Sequence, residues 1–237
     1  MARAILGDAA VDVVIQPAAG RRKQLLVADL ESTIIENEML DDLAGLVGVG
    51  PRVAEITRRA MNGEIDFSAA IEARVALLAG IGNSVLEKAA TGIRLTPGAR
   101  ALVATMRRAG ARTALVSGGF TVFAERVATA LGFDHVIANR LEFADSRLAG
   151  RVLSPIVTGE TKRRALLGFV ADYGLSPAEV IAVGDGANDL AMLGAAGLGI
   201  AFHAKPAVAA AARWRIDHAD LTALLYAQGY RDEEIAR

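Results

Sequence analysis

Residues 25–29, Leu25-Leu26-Val27-Ala28-Asp29, decide the fold: four apolar residues run without a break and close on a carboxylate. A strand with one wet face alternates apolar and polar residues. An unbroken apolar run is instead buried on both faces, as in the middle of a parallel sheet, and any chemistry then sits at its C-terminal end. Working outward, comparable runs recur at 113–118 (TALVSG), 180–185 (VIAVGD) and 197–202 (GLGIAF), with a further candidate at 134–138 (DHVIA). Helical patterns separate most of them: 98–109 stops at Gly110, 121–131 at Gly132 and 161–173 at Gly174. Glycine just past the last periodic residue is a helix stop signal. The alternation predicts an α/β fold with a doubly wound, Rossmann-like parallel sheet.

Two stretches break the alternation. Residues 38–96 carry no convincing strand, and their apolar periodicity predicts short helices over 39–47, 53–61, 68–79 and 84–90. The expected division is a core of 25–38 and 97–237, with 39–96 as an all-helical cap inserted after the first catalytic strand. A cap in that place lies above the strand's C-terminal end and can close over it. Residues 141–153 (LEFADSRLAGRVL) alternate around Asp145-Ser146 and read as a β-hairpin. Residues 1–24 are an N-terminal stub in which 9–16 (AAVDVVIQ) read as an edge strand.

Composition excludes several classes of function. The 237 residues hold 26 Lys+Arg against 27 Asp+Glu, a formal net charge of −1, so nothing in the bulk charge attracts nucleic acid or an anionic membrane. Zero Cys rules out disulfide scaffolds, thiolate zinc sites and cysteine nucleophiles. No apolar run reaches the roughly 18 residues a membrane helix needs, and Met1 to Lys23 lacks the order of a secretory signal, its basic cluster following the apolar stretch. These features point to a cytoplasmic protein, with no nucleic-acid or membrane partner.

Four constellations offer chemistry. Asp29-Leu30-Glu31-Ser32-Thr33 places two acids at i and i+2 past a strand end. One carboxylate can attack phosphorus while the other protonates the departing oxygen. Val116-Ser117-Gly118-Gly119-Phe120-Thr121 offers a hydroxyl and glycine amides at the start of a helix, a cradle for an anion. Lys162, early in a helix, supplies a point charge. Val183-Gly184-Asp185-Gly186-Ala187-Asn188-Asp189 groups hard oxygen ligands suited to Mg²⁺. Each has a plain structural reading when taken singly: a turn-capping Asp, a Ser/Gly turn, a solvated Lys, a helix cap at Asp189. Their common position is what carries weight, because strand ends of a parallel sheet share one crevice. Gly194-Ala195-Ala196-Gly197-Leu198-Gly199 reverses the dinucleotide-binding spacing and precedes a strand, so it fails as a nucleotide motif.

The strings DLEST, SGGFT and GDGANDL, with the Lys162 region, resemble the four motifs of the haloacid dehalogenase-like phosphatases. The resemblance runs from about Gln24 to Tyr230. It takes in Ala60-Met61-Asn62-Gly63, Asp66-Phe67-Ser68, Glu72-Ala73-Arg74-Val75 and Ala204-Lys205-Pro206, strings similar to those of the branch acting on phosphoserine. It implies Asp29 as nucleophile and Glu31 as acid/base. It implies Mg²⁺ held by Asp29, the Glu31 carbonyl and Asp185, with Asn188 and Asp189 in support. Ser117, Gly118 and Lys162 would cradle the phosphoryl oxygens, with Asn188 at the substrate. Arg74 would pair with the substrate carboxylate, Glu38 with its ammonium, and Met61 and Phe67 would form the apolar wall; singly these four would read as solvated helix charges and helix core.

The implied activity is Mg²⁺-dependent hydrolysis of O-phospho-L-serine, the last step of serine biosynthesis. The partner is a small phosphomonoester, and a homodimer is compatible with the reading. One departure stands out: the family usually has Asp at the second acid position, and Glu31 is longer by roughly 1.5 Å. Related members that move phosphate between phosphoserine and homoserine also carry D-x-E, so the alternatives are a phosphotransferase and a non-catalytic phosphoserine-binding protein.

Overall fold

A computed structural model describes residues 9–61 and 64–236 of the chain. Strand β1 spans Leu25–Ala28, and all four of its residues are buried. Helices α1 (Met39–Leu46), α2 (Gly50–Met61), α3 (Phe67–Ala76) and α4 (Asn83–Thr91) follow it. The chain continues through α5 (Ala99–Arg108), β2 (Arg112–Phe120), α6 (Thr121–Leu131), β3 (His135–Ala144) and β4 (Arg147–Leu153). It closes with α7 (Gly159–Asp172), β5 (Val180–Gly184), α8 (Leu190–Ala195), β6 (Leu198–Phe202), α9 (Pro206–Ala211), β7 (Trp214–Ile216) and α10 (Ala223–Ala227).

The seven strands form one sheet in the order β4-β3-β2-β1-β5-β6-β7. Every pairing is parallel except β3 with β4. The apolar run at 25–28 therefore lies at the centre, with Leu25 in register with Arg112 of β2 and Val180 of β5. Its side chains alternate between two layers. Leu26 and Ala28 share a core with Leu102 and Met106 of α5, Phe123 of α6 and Leu224 of α10. Leu25 and Val27 share the other with Leu166 of α7, Met192 of α8 and Val208 of α9. Burying a Leu or Val fully is worth roughly 1.5–3 kcal/mol, so a run with no polar face has no better place than mid-sheet.

Strand β3 joins two stretches that the sequence presents separately. Its first half pairs with β2, from Ala114↔His135 onward, and its second half turns to β4. Asp145 and Ser146 both have positive φ, 48° and 60°, which makes the tight reversal between Ala144 and Arg147. Such a turn matches the twist of the strands it joins.

The end of α3 and the loop that follows it rest on this hairpin. Gly80 N–H donates to Leu148 O and Leu148 N–H to Ile81 O, both at 2.8 Å. Gly150, with φ +75°, lets α3's end approach so closely that a Cβ there would lie 2.8 Å from Ala79 Cβ.

The N-terminal expectation needs correction. Residues 9–16 form no strand; β7 is the sheet edge on that side. Side chains hold the segment instead of a ladder. The Asp12 carboxylate accepts from the amides of Asp217 (2.7 Å), His218 (3.2 Å) and Ala219 (2.8 Å), and Gln16 Nε2 donates to Ala227 O. Among the described residues no helix is long and apolar enough to cross a membrane.

Candidate active site

The four constellations converge where the parallel strands end. Asp29 follows β1, and its amide donates to Val183 O at 3.0 Å, which fixes the residue against β5. Asp185 follows β5 directly. Asp189 comes back to the same point because Gly184 lacks a side chain: a Cβ on Gly184 would lie 2.4 Å from Asp189 Cγ. Oxygens of Asp29, Asp185 and Asp189 all lie within 4.8 Å of one another, and all three residues are buried.

Lys162 enters this cluster from the first turns of α7, whose start is capped by Thr158 Oγ1 accepting from Thr161 N–H. It is fully buried. Its Nζ lies 2.7 Å from Asp189 Oδ1, to which it donates, and 2.7 Å from Asp29 Oδ1. The second approach is an ion pair without hydrogen-bond alignment, so Asp29 Oδ1 is buried with no hydrogen-bond partner. Burial alone would pull the Lys162 pKa down; the charges of Asp29 and Asp189 overcome it and hold the ammonium above its ordinary range.

The acids respond in the opposite sense. Burial, then the charges of Asp29 and Asp189, push Asp185 from its ordinary 3.8 up to about 7. Burial and the Asp29 charge also raise Asp189, against the pull of Lys162. Three clustered carboxylates facing one ammonium make a site short of positive charge. A divalent cation with hard oxygen ligands fits that donor set.

The second strand end supplies the anion cradle. The β2–β3 register shifts between Val116 and Phe120, which takes Ser117-Gly118-Gly119 out of the ladder. Ser117 Oγ accepts from Gly119 N–H at 2.9 Å and keeps its own proton to donate. Asn139 braces the loop: its Nδ2 donates to Gly118 O and its Oδ1 accepts from Val157 N–H, each at 2.7 Å. Asn139 is buried, and the motif reading missed it; an Asn inside an apolar strand was the available signal.

Glu31 is half-buried. Burial and then Glu38 push its pKa up to about 8. Its Oε1 accepts from Met39 N–H at 3.0 Å. Its carboxylate is not a member of the Asp29–Asp185–Asp189 cluster. Glu38 stands at the start of α1 and accepts from Ser32 Oγ at 2.7 Å. Burial raises the Glu38 pKa, partly offset by that bond and by the Lys205 charge. Ser32, with φ +53°, and Lys205 are further residues the sequence reading left without a role.

Of the residues expected in the helical segment, Phe67 reaches the cradle. Its Cζ would lie 3.5 Å from a Cβ placed on Gly118, and Asn188 Nδ2 3.7 Å from the same point. Arg74 shares Phe67's helix face, two turns on, but its contacts are its own helix carbonyl at Ala70 (3.3 Å) and Thr57 Oγ1 (3.5 Å). The side chain of Met61 lies outside the described residues.

Residues 26–194 match the profile of the haloacid dehalogenase-like hydrolases. A phosphoserine phosphatase of Streptomyces coelicolor is 44% identical over 227 residues, 95% of this chain and 55% of that protein. One of Idiomarina loihiensis is 46% identical over 201 residues, covering 85% of this chain and 91% of its own. The chain spans just over half the length of several of the curated relatives it matches. Among solved structures, a phospho-aspartyl intermediate analogue of a phosphoserine phosphatase superimposes with a TM-score of 0.80 at 36% identity, covering 86% of this chain and 98% of that one.

Proposed function

This chain belongs to the haloacid dehalogenase-like hydrolase family, and from that premise we propose that it hydrolyses O-phospho-L-serine to L-serine and phosphate through an aspartyl-phosphate on Asp29, with Mg²⁺ as cofactor. The supporting observation is the meeting of Asp29, Lys162, Asp185 and Asp189 at the end of β1, next to the neighbouring strand β2 that carries Ser117 and Gly118. Asp29 Oδ attacks phosphorus, and the bond from phosphorus to the serine oxygen breaks. The carboxyl of Glu31 gives its proton to that oxygen; a group raised to about 8 holds a proton at neutral pH. The resulting carboxylate then takes a proton from water, whose oxygen attacks phosphorus and frees Asp29 and phosphate.

Ser117, Gly118, Lys162 and Asn188 face the oxygens on which charge builds. Asp29 and Asp185, with the Glu31 carbonyl and in Asp189's company, would hold Mg²⁺, which supplies charge neutralisation of the phosphoryl group. Glu38 and Arg74 read the ammonium and carboxylate of the substrate, while Phe67 and Met61 wall it in. In this reading 39–96 is a cap on a core of 25–38 and 97–237, in a cytoplasmic setting. Phosphate release from a panel of small phosphomonoesters, with and without Mg²⁺, tests the proposal: phosphoserine should lead, and a flat profile or indifference to Mg²⁺ would refute it.

The length of Glu31 favours one second reading, transfer of the phosphoryl group from Asp29 to another alcohol. Phosphohomoserine formed from phosphoserine plus homoserine would establish it, and its absence across acceptors would remove it.

Arg74→Ala should raise KM for phosphoserine far more than KM for an uncharged phosphate ester. Losing one partner of a desolvated charge pair costs roughly 2–5 kcal/mol. Equal changes on both esters would refute the carboxylate-reading role.

The raised Asp185 pKa gives a cation test that needs no turnover. Ion binding requires the carboxylate, and between 3.8 and about 7 the ion-free group holds a proton. Affinity is therefore lost as pH falls through about 7. The gain in Tm on adding Mg²⁺ should be larger at about pH 8 than at about pH 6. Thermal melts at both pH values decide it.

A further inference from the structure

The Glu31 carboxylate lies flat against Gly119. A Cβ on Gly119 would stand 3.0 Å from Glu31 Cδ, 3.0 Å from Oε2 and 3.1 Å from Oε1. Ordinary contacts between such atoms fall near 3.5–4.0 Å, so any side chain at 119 displaces the carboxylate by a few tenths of an ångström. No left-handed backbone at Gly119 demands glycine: its φ is outside that region. Its amide bond to Ser117 Oγ would survive a methyl group. On the other side, Oε1 is held by the Met39 amide at the start of α1. The carboxylate is thus seated between a bare backbone on β2 and a donor on the first helix after β1.

We infer that Gly119 and the Met39 amide are positioning groups for the Glu31 carboxyl, and that the longer acid at 31 fills the room a bare backbone at 119 leaves. The inference rests on the acid/base role proposed for Glu31. An aspartate at 31 is shorter by about one C–C bond, roughly 1.5 Å, and its carboxylate would clear a methyl group at 119. The pair is coupled: lengthening the acid requires the room, and filling the room penalises only the long acid.

Four chains test this: the unsubstituted protein, Gly119→Ala, Glu31→Asp and the double substitution. A misplacement near 1 Å costs on the order of 10²-fold in rate. The smaller shift forced by Gly119→Ala should lower kcat on phosphoserine about five- to tenfold, with KM changed by less than about twofold. In the Glu31→Asp background the same methyl group should cost less than about twofold in kcat. Tm should follow suit, falling on Gly119→Ala when Glu31 is present and not when it is replaced. Equal losses of kcat in both backgrounds, or no loss in either, overturn the positioning role. So does coupling in Tm without coupling in kcat. Should the unsubstituted chain release no phosphate from phosphoserine, the functional reading falls. The Tm cycle then still decides the seating: coupled changes support it and equal changes overturn it.

Discussion

Asp29→Asn is expected to leave a folded protein that releases phosphate from phosphoserine at least about 10⁴-fold more slowly, the scale on which removal of a nucleophile is felt. The side chains have nearly the same shape, and the Asp29 amide keeps its bond to Val183 O. The change also removes one of the charges that raise Asp185 and Asp189, so crowding in the cluster eases. Lys162 retains Asp189 as partner. Folding and catalysis should therefore separate: Tm close to that of the unsubstituted chain, and no acid-quenched phosphoryl-protein after brief exposure to labelled phosphoserine. Phosphate release comparable to the unsubstituted chain would end the covalent mechanism.

Lys162→Met should damage both. The ammonium is fully buried between two carboxylates. Breaking a buried pair by removing one partner costs about 3–5 kcal/mol, because the remaining charge is left uncompensated. For a chain of this size each kcal/mol moves Tm by about 2–4 °C, so a drop of roughly 6–20 °C is expected. The pH dependence has a definite sign. Without the lysine the native carboxylates hold protons more tightly than in the unfolded chain, which favours the fold at low pH and is lost as pH rises. The Tm deficit should be wider at about pH 8 than at about pH 5.5. A deficit independent of pH would mean that the lysine acts through packing alone. Phosphate release should fall sharply at either pH, since charge on the phosphoryl oxygens loses its partner.

Much of this arrangement was legible before any coordinates. Short apolar runs alternating with helical patterns fit strands buried on both faces, and Asp29, Ser117 and Asp185 each stand at the end of such a run, so their convergence follows from parallel topology. The reasons for the gaps are equally physical. Trp214–Ile216 is three residues long and has no periodicity to detect. The unity of β3 was hidden because its two halves have different partners, one parallel and one antiparallel. Residues 9–16 alternate like a strand, yet side-chain bonds from Asp12 and Gln16 hold them without any ladder. Asn139 braces the backbone, and its one trace in the sequence is an amide inside an apolar strand, whereas the space beside Gly119 leaves no chemical signature of its own. Arg74 shows the converse: a motif names the residue, but its direction depends on neighbours such as Thr57.

The balance of charge in the crevice has one more consequence. Asp29 and Asp189 pair with Lys162, Asp185 completes their cluster, and Glu31 and Glu38 lie near enough to feel the Asp29 charge, with Lys205 felt at Glu38 and Asp185. A doubly negative ester is repelled by that excess, and a divalent cation is drawn to it. Each guest therefore strengthens the other's hold on the protein, and thermodynamic reciprocity makes the two enhancements equal.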